Sequence, residues 1–243
     1  QRAHAKNTST NYQTKNTATR RCFSFGKKIL DKIFQNGTIT KEERVVPRTN
    51  RRSMEMTERE KFLAKLAPHM THDELEKVLA AYMFAKYGHA KQRRDCGKRY
   101  FEHPRAVANI IIDELNINND WEIVTTALLH DILEDSYILN EKALEVNFGT
   151  RVALWVTLLT KTQGTDYHKQ LSSCALWQVL LVKLADRLHN VRSLSICSIE
   201  KQIRYRKETK NDYIPLAQKL VSLLPQKDTW RGEYLKTEIE KLI

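Results

Sequence analysis

One short segment, Leu128–Asp135 (LLHDILED), constrains the fold of this chain more than any other. Four ionisable side chains interrupt an otherwise apolar run there, namely those of His130, Asp131, Glu134 and Asp135. In one continuous helix, His130 would lie one turn before Glu134, because residues four apart share a helix face. Charged groups on a half-buried helix are costly unless they are paired or bound to a metal. We therefore expect this helix to pack in a helical core and to carry a site.

Helical periodicity continues through most of the chain from Thr57 onward. The segment Thr71–Glu74 has the pattern of a capping box at the start of a helix. Pro104 suits the first turn of another helix, and Asp120 suits the start of the helix that carries the central motif. No segment has the alternating pattern of a strand. The sequence therefore predicts an all-α fold, a compact multi-helix bundle of roughly eight or nine helices.

The second half of the chain contains signals for helix ends as well as helix starts. Asn140 is expected to begin a short helix that Gly149 ends, with a new helix following through Leu159. Residues 162–172 are polar and are predicted to form a loop, and a helix is expected over about 175–191.

The net charge of +12 is concentrated near the start of the chain. Residues 1–52 hold 13 of the 41 Lys and Arg residues but only three acids. We therefore predict a basic, flexible N-terminal arm over 1–53 and a folded domain over 54–243. The arm could contact nucleic acid or an acidic partner, or act as an organelle-targeting segment, and Phe23–Phe34 could form a short basic helix within it.

Two further features bear on the location of the protein. The longest apolar stretches are far shorter than the ~20 residues needed to cross a bilayer, so no membrane span is expected. The four cysteines have no CxxC spacing, which favours reduced thiols in a cytoplasmic protein over a disulfide framework. The oligomeric state does not follow from the sequence.

Imidazole and carboxylate side chains on three predicted helices form a candidate metal site. The candidate ligands are His103, His130, Asp131 and Asp186. Two imidazoles with two carboxylates suit a divalent ion such as Mn, Fe or Zn better than Mg or Ca, which prefer all-oxygen ligands. Such an ion can polarise a phosphoryl oxygen and lower the pKa of water.

The spacing of these residues is similar to the H…HD…D signature of the HD superfamily of metal-dependent phosphohydrolases. The surrounding sequence resembles the hydrolase domain of RelA/SpoT homologues over roughly residues 70–224. Five blocks carry this resemblance, in order: HAKQRRDCGKRYFEHPRAVA, ALLHDILED, FGTRVALWVTLLTK, LVKLADRLHNVRSL and RKETKNDYIPLAQKL.

The resemblance implies hydrolysis of the 3′-pyrophosphate of guanosine tetra- and pentaphosphate, usually with Mn²⁺. By position, the four candidate ligands would bind the metal, and Glu134 and Asp135 would position and activate the attacking water. Arg94 would pack on the guanine, and Asn190 and Ser193 would contact the nucleoside. The roles of Lys183 and Arg187 stay open. Each could contact the substrate, or each could belong to a solvated or ion-paired helix face.

Some positions depart from the family pattern and leave the substrate open. Asp95 stands where the family usually has Lys, and Arg99 replaces a usual Pro; Arg93, Lys98 or Arg99 could supply the missing positive charge. The alternatives are an adenosine alarmone, NADPH, or a non-catalytic domain that binds nucleotides or nucleic acid. Only 18 residues follow Pro225, too few for the synthetase domain of long family members, so we expect a small alarmone hydrolase or a fragment.

Overall fold

Every regular element in a computed structural model of the chain, which describes residues 56–135 and 139–243, is helical. The one pairing of extended backbone among these residues is an isolated antiparallel bridge between Arg93 and Arg99. The all-α prediction is therefore confirmed for this part of the chain. The predicted basic arm, with its Phe23–Phe34 helix, lies outside the described residues.

The chain divides into two units, the first ending at Met83 and the second spanning Phe84–Ile243. The first unit contains helix α1 (Glu58–Ala64) and most of helix α2 (His72–Gly88). The capping box predicted at Thr71 is present: the Thr71 backbone N–H donates to the carboxylate of Glu74 over 2.7 Å. Phe62 and Tyr82 pack their rings 5.4 Å apart within this unit.

The second unit holds the remaining helices. They are α3 (Glu102–Asn109), α4 (Trp121–Leu129), α5 (Ile132–Asp135), α6 (Glu141–Leu159), α7 (Tyr167–Ser173), α8 (Trp177–Arg192), α9 (Ile199–Glu208), α10 (Ile214–Leu223) and α11 (Thr229–Glu240). Helix α8 contacts α3, α4, α6, α10 and α11, so it forms the centre of this unit. Its apolar residues are buried almost throughout, and three of its charged residues, Lys183, Asp186 and Arg187, are buried with them.

The central motif does not form one continuous helix. Helix α4 ends at Leu129 and α5 begins at Ile132, with His130 and Asp131 in the turn between them. His130 Nε2 lies 3.1 Å from Asp131 Oδ2 at this turn. The prediction of one continuous helix through the motif is therefore wrong.

Three other features refine the predicted pattern. Gly149 breaks the helix as expected, as a kink with φ of 85° inside α6. The predicted loop over 162–172 is wrong in part, because α7 forms there when Tyr167 and Leu171 enter the core. Helix α3 continues as a π-helix over Ile110–Glu114, which periodicity did not predict.

Within residues 56–135 and 139–243, none of the helices combines the length and the apolar composition needed to cross a bilayer.

Candidate metal centre and adjoining pocket

Four side chains from three parts of the second unit converge on one point. His103 lies at the start of α3, His130 and Asp131 lie in the turn between α4 and α5, and Asp186 lies in the middle of α8. His103 Nε2 is 3.1 Å from Asp186 Oδ1 and 3.5 Å from Asp131 Oδ2. His130 Nε2 is 3.8 Å from the same Asp186 oxygen. Donor atoms of His103, His130 and Asp186 lie within 4.8 Å of one another, and Asp131 lies beside both histidines. The structure therefore brings all four residues predicted as metal ligands into one cluster.

The donor atoms of this cluster fit a divalent cation. His130 is 1% exposed, and its Nε2 makes no hydrogen bond with any described residue although two carboxylates lie nearby. Its other ring nitrogen, Nδ1, lies 2.8 Å from the backbone oxygen of Ala127 and can donate to it, which leaves Nε2 free as a lone-pair donor. A cation bound between Nε2 and the two carboxylates would satisfy all three groups at once.

The titration of these groups reflects the same crowding of opposite charges. Burial opposes protonation of His130, but the Asp131 and Asp186 carboxylates outweigh it and raise the pKa of His130 to about 9. Burial also works against the charge of Asp186, but Lys183 and the two imidazoles hold the pKa of Asp186 well below its ordinary value. Burial also opposes the charge of Asp131, but His130 and His103 hold the pKa of Asp131 below its ordinary value. Both carboxylates are therefore ionised and attract positive charge, whether a proton or a metal cation.

Additional side chains hold the carboxylates in place. The Tyr100 hydroxyl donates to Asp131 Oδ2 over 2.8 Å. Asp186 accepts hydrogen bonds from Asn190 Nδ2 at 2.6 Å and from Lys183 Nζ at 2.9 Å. Hydrogen bonds of this kind orient the ligands of a metal site and contribute to its affinity for the metal.

His189 is a neighbour of the cluster that the sequence analysis missed. Its Nδ1 lies 2.7 Å from Nδ1 of His103. Burial, together with the nearby His103 and Arg94, lowers the pKa of His189 to about 3, so its imidazole is neutral. A sequence signal existed, because His189 follows Asp186 by three residues and so shares its helix face.

Glu134 lies beside the cluster at the edge of the pocket. Its Oε1 accepts a hydrogen bond from the backbone N–H of Lys161 over 2.6 Å. Desolvation raises the pKa of the Glu134 carboxyl, which makes it a better proton acceptor than an ordinary surface Glu. Asp135, the other residue predicted to activate water, is the last residue of α5, and its side chain lies outside the described part.

Three of the residues predicted to contact substrate form a second cluster. A nitrogen of the Arg94 guanidinium donates to Asn190 Oδ1 over 2.9 Å and lies 3.4 Å from Ser193 Oγ. Asn190 therefore connects this cluster to the metal centre, since it also donates to Asp186.

The two remaining predicted cations occupy different surroundings. Lys183 is 8% exposed and reaches the pocket wall while it pairs with Asp186. Arg187 is packed between Tyr205 and Tyr213, with its guanidinium carbon 4.4 Å and 3.6 Å from their ring centroids, and pairs with Glu208. The structure does not bring Arg187 to the pocket.

A polar pocket opens over the metal centre and the Arg94 cluster. Its lining includes five cationic side chains, those of Arg93, Arg94, Lys161, Lys183 and Lys201. Asp95 also lines it, and its carboxylate pairs with Lys201 Nζ at 2.5 Å, which holds the pKa of Asp95 below its usual range. The anion that replaces the family's usual Lys therefore has a cation from α9 against it. Lys201 was missed because it is 106 residues distant along the chain.

Comparisons with known proteins agree with this geometry. A family model described as "HD domain" matches residues 81–221, which is more than half of the chain. The chain is 36% identical to guanosine-3′,5′-bis(diphosphate) 3′-pyrophosphohydrolase of Aquifex aeolicus, over 74% of this chain and 27% of that protein. It is 31% identical to the bifunctional (p)ppGpp synthase/hydrolase SpoT of Escherichia coli, over 72% of this chain and 24% of that protein.

The chain thus spans about a quarter of the length of these curated relatives. Among solved structures, a metazoan ortholog of SpoT that hydrolyses ppGpp has the same fold, with a TM-score of 0.53 and 24% identity over 68% of this chain and 93% of that one. The predicted resemblance is confirmed, and the chain belongs to the HD-domain family.

Proposed function

We propose that this chain is a metal-dependent pyrophosphohydrolase that removes the 3′-pyrophosphate from guanosine tetra- and pentaphosphate. The observation that carries the proposal is the convergence of two imidazoles and two carboxylates at the base of a pocket rich in cations. The activities for which the relatives are named support the same reaction. Mn²⁺ is the ion that the resemblance implies. The free cysteines among the described residues support a cytoplasmic location.

The metal would be held by His103, His130, Asp131 and Asp186. When bound, the ion supplies polarisation of a phosphoryl group and lowers the pKa of water. The neighbouring protein groups keep the ligands ready for it: Tyr100 holds Asp131, and Lys183 and Asn190 hold Asp186. Ligands that are already oriented need no rearrangement when the ion binds.

Glu134 is the residue that we propose to take a proton from the attacking water. It sits beside the metal centre, and the Lys161 N–H fixes one of its oxygens. A carboxylate with a raised pKa is suited to accept a proton near neutral pH. Asp135 stays a proposed partner in this step on the basis of the resemblance alone.

Arg94, Asn190 and Ser193 would recognise the nucleoside. The planar Arg94 guanidinium is held by the other two residues, and a guanidinium plane is well suited to stack on a purine. Asn190 contacts both this cluster and Asp186, so it would fix the distance between the base and the scissile phosphate.

The charge of the pocket suits a substrate that carries several phosphates. The cations that line it attract an anion, and burial strengthens that attraction. The Asp95–Lys201 pair reduces the net positive charge at one side, which is where this chain departs from its family. We therefore expect the preference for guanosine tetraphosphate over other nucleotides to depend on this side of the pocket.

The direct test is a product assay with the purified chain. Metal-free protein is loaded with Mn²⁺ and supplied in separate reactions with guanosine tetraphosphate, its adenosine counterpart and NADPH, and released pyrophosphate or phosphate is measured. Pyrophosphate release from the guanosine compound supports the proposal. Turnover confined to either of the other two compounds, or no turnover by protein that has bound stoichiometric Mn²⁺, would refute it.

Two variants separate metal binding from proton transfer. Glu134→Gln should retain bound Mn²⁺ and lose turnover by at least about 100-fold, because it keeps the shape of the side chain but cannot accept the proton. His130→Ala should lose both the metal and turnover. Glu145→Gln, a substitution at an exposed position of α6, serves as the control and should behave as the parent protein. Full activity of Glu134→Gln would remove Glu134 from the mechanism.

A further inference from the structure

The two histidines of the metal centre present the same ring nitrogen to the carboxylates. In His103 and in His130 it is Nε2 that faces Asp186 Oδ1, at 3.1 Å and 3.8 Å. A neutral imidazole carries its one proton on either nitrogen, so a histidine that binds a metal through Nε2 must carry its proton on Nδ1. Each histidine therefore needs a hydrogen-bond acceptor opposite Nδ1 to favour that tautomer.

His130 and His103 meet this need in different ways. His130 Nδ1 lies 2.8 Å from the backbone oxygen of Ala127, an atom that can only accept. His103 Nδ1 lies 2.7 Å from a nitrogen instead, Nδ1 of His189. One of these two nitrogens must donate and the other accept, so the tautomers of the two rings are coupled.

His189 packs against His103 from the central helix of the unit. It follows Asp186 on the central helix α8, and its ring lies 4.8 Å from the His103 ring between centroids, tilted by 39°. Two imidazole nitrogens 2.7 Å apart can share only one proton between them, so one of the two Nδ1 atoms is an unprotonated acceptor. His189 therefore lies on the Nδ1 side of the His103 ring, and the carboxylates lie on its Nε2 side.

We propose that His189 is a positioning residue for the metal centre: its unprotonated Nδ1 accepts the Nδ1–H of His103 and so selects the tautomer in which His103 Nε2 can bind a divalent cation. The role is that of the carboxylate or carbonyl that usually stands behind a metal-bound histidine. The inference rests on the proposed metal centre but not on the identity of the nucleotide, so it can fail or hold independently of the proposed reaction.

A pair of substitutions tests the acceptor and not merely the volume. Asn places its Oδ1 three bonds from Cα, as His does its Nδ1, and so keeps an acceptor; Leu is of similar size and has none. Mn²⁺ binding to metal-free protein is measured by titration calorimetry without nucleotide. We expect His189→Leu to weaken Mn²⁺ binding by about 10- to 100-fold, and His189→Asn to stay within about threefold of the parent protein.

The control is His168→Leu, a histidine replacement on α7 away from the metal centre, which should leave Mn²⁺ affinity unchanged. Unfolding in chelator shows whether each variant is folded. Unchanged affinity in His189→Leu would overturn the proposal, as would equal losses in His189→Leu and His189→Asn.

A second measurement uses the parent protein and so does not depend on a variant that folds. Zn²⁺ is diamagnetic, and long-range ¹H–¹⁵N spectra of the Zn²⁺-loaded protein report which nitrogen of each histidine carries the proton. We expect the proton of His103 on Nδ1 and that of His189 on Nε2. A proton on Nδ1 of His189 would make it the donor to His103 and would refute the assignment.

Discussion

Replacement of Lys183 by Met should reveal how strongly the metal-free protein depends on one lysine. Lys183 and Asp186 lie three residues apart on α8, and both are almost fully buried, with exposures of 8% and 5%. Their side chains are 2.9 Å apart. Methionine keeps the length and the apolar stem of lysine but removes the charge, so the Asp186 carboxylate loses its closest cation.

The size of the effect follows from the geometry. At an effective dielectric constant of about 20, unit charges 2.9 Å apart attract by about 6 kcal/mol. Measured losses on removing one partner of a buried pair are about 3–5 kcal/mol. His103 and His130 can compensate in part, so we expect the free energy of unfolding to fall by about 3 kcal/mol. With a urea m value of about 3 kcal/mol per molar, the midpoint falls by about 1 M.

The assay is urea unfolding in chelator and again in saturating Mn²⁺. The bound ion should restore part of the lost stability, because it supplies positive charge to Asp186 in place of the lysine. Lys142→Met is a matched control, since Lys142 pairs with Glu145 at the same spacing on α6 but at the surface, where the pair should contribute too little to resolve. Equal midpoints for both variants in chelator would refute the reasoning.

Three further outcomes are expected from features away from the ligands. Asp95→Lys releases Lys201 and adds a cation at the pocket, so the KM for guanosine tetraphosphate should fall at low salt while kcat stays constant. The decrease in KM should be smaller at high salt, because salt screens the added charge, and an unchanged KM would contradict this. Gly149→Ala should lower the free energy of unfolding, measured by thermal unfolding, by about 1–3 kcal/mol. The space around a Cβ there is open, but the φ of 85° is strained for any residue other than glycine. Burial raises the pKa of Glu114, but Arg192 outweighs burial, and the pKa of Glu114 is lower in the folded protein than its ordinary value of 4.5. Ionised Glu114 therefore stabilises the folded state above about pH 4.5, and this contribution is lost as the pH falls through the lowered pKa. Glu114→Gln should flatten this part of the curve of unfolding free energy against pH.

Helix starts were predictable from the sequence because their causes are local. The capping box at Thr71 and the cap at Asp120 each depend on residues within one turn, and both are present. The break after Leu129 was not predictable, because the apolar periodicity of the motif continues through it. Periodicity describes a helix face and contains no information about a partner elsewhere in the chain.

The residues of the candidate site also differ in how far the sequence alone could indicate them. Its four predicted ligands came from a pattern of residue types, and the structure brings them together. His189 could have been found from its spacing to Asp186, since both lie on one face of α8. Lys201 could not, because its contact with Asp95 depends on how α9 packs beside the turn that precedes α3.

The contact between Lys161 and Glu134 has an evolutionary consequence. Glu134 is held by a peptide N–H, and every amino acid except proline supplies that group at position 161. Selection on this contact acts on the length and path of the connection after α6 and leaves the identity of the side chain free. A substitution scan of position 161 would therefore keep the Glu134 contact with nearly every residue and report only the loss of the Lys161 charge from the pocket. Insertion or deletion of one residue beside it would instead move the donor away from the carboxylate.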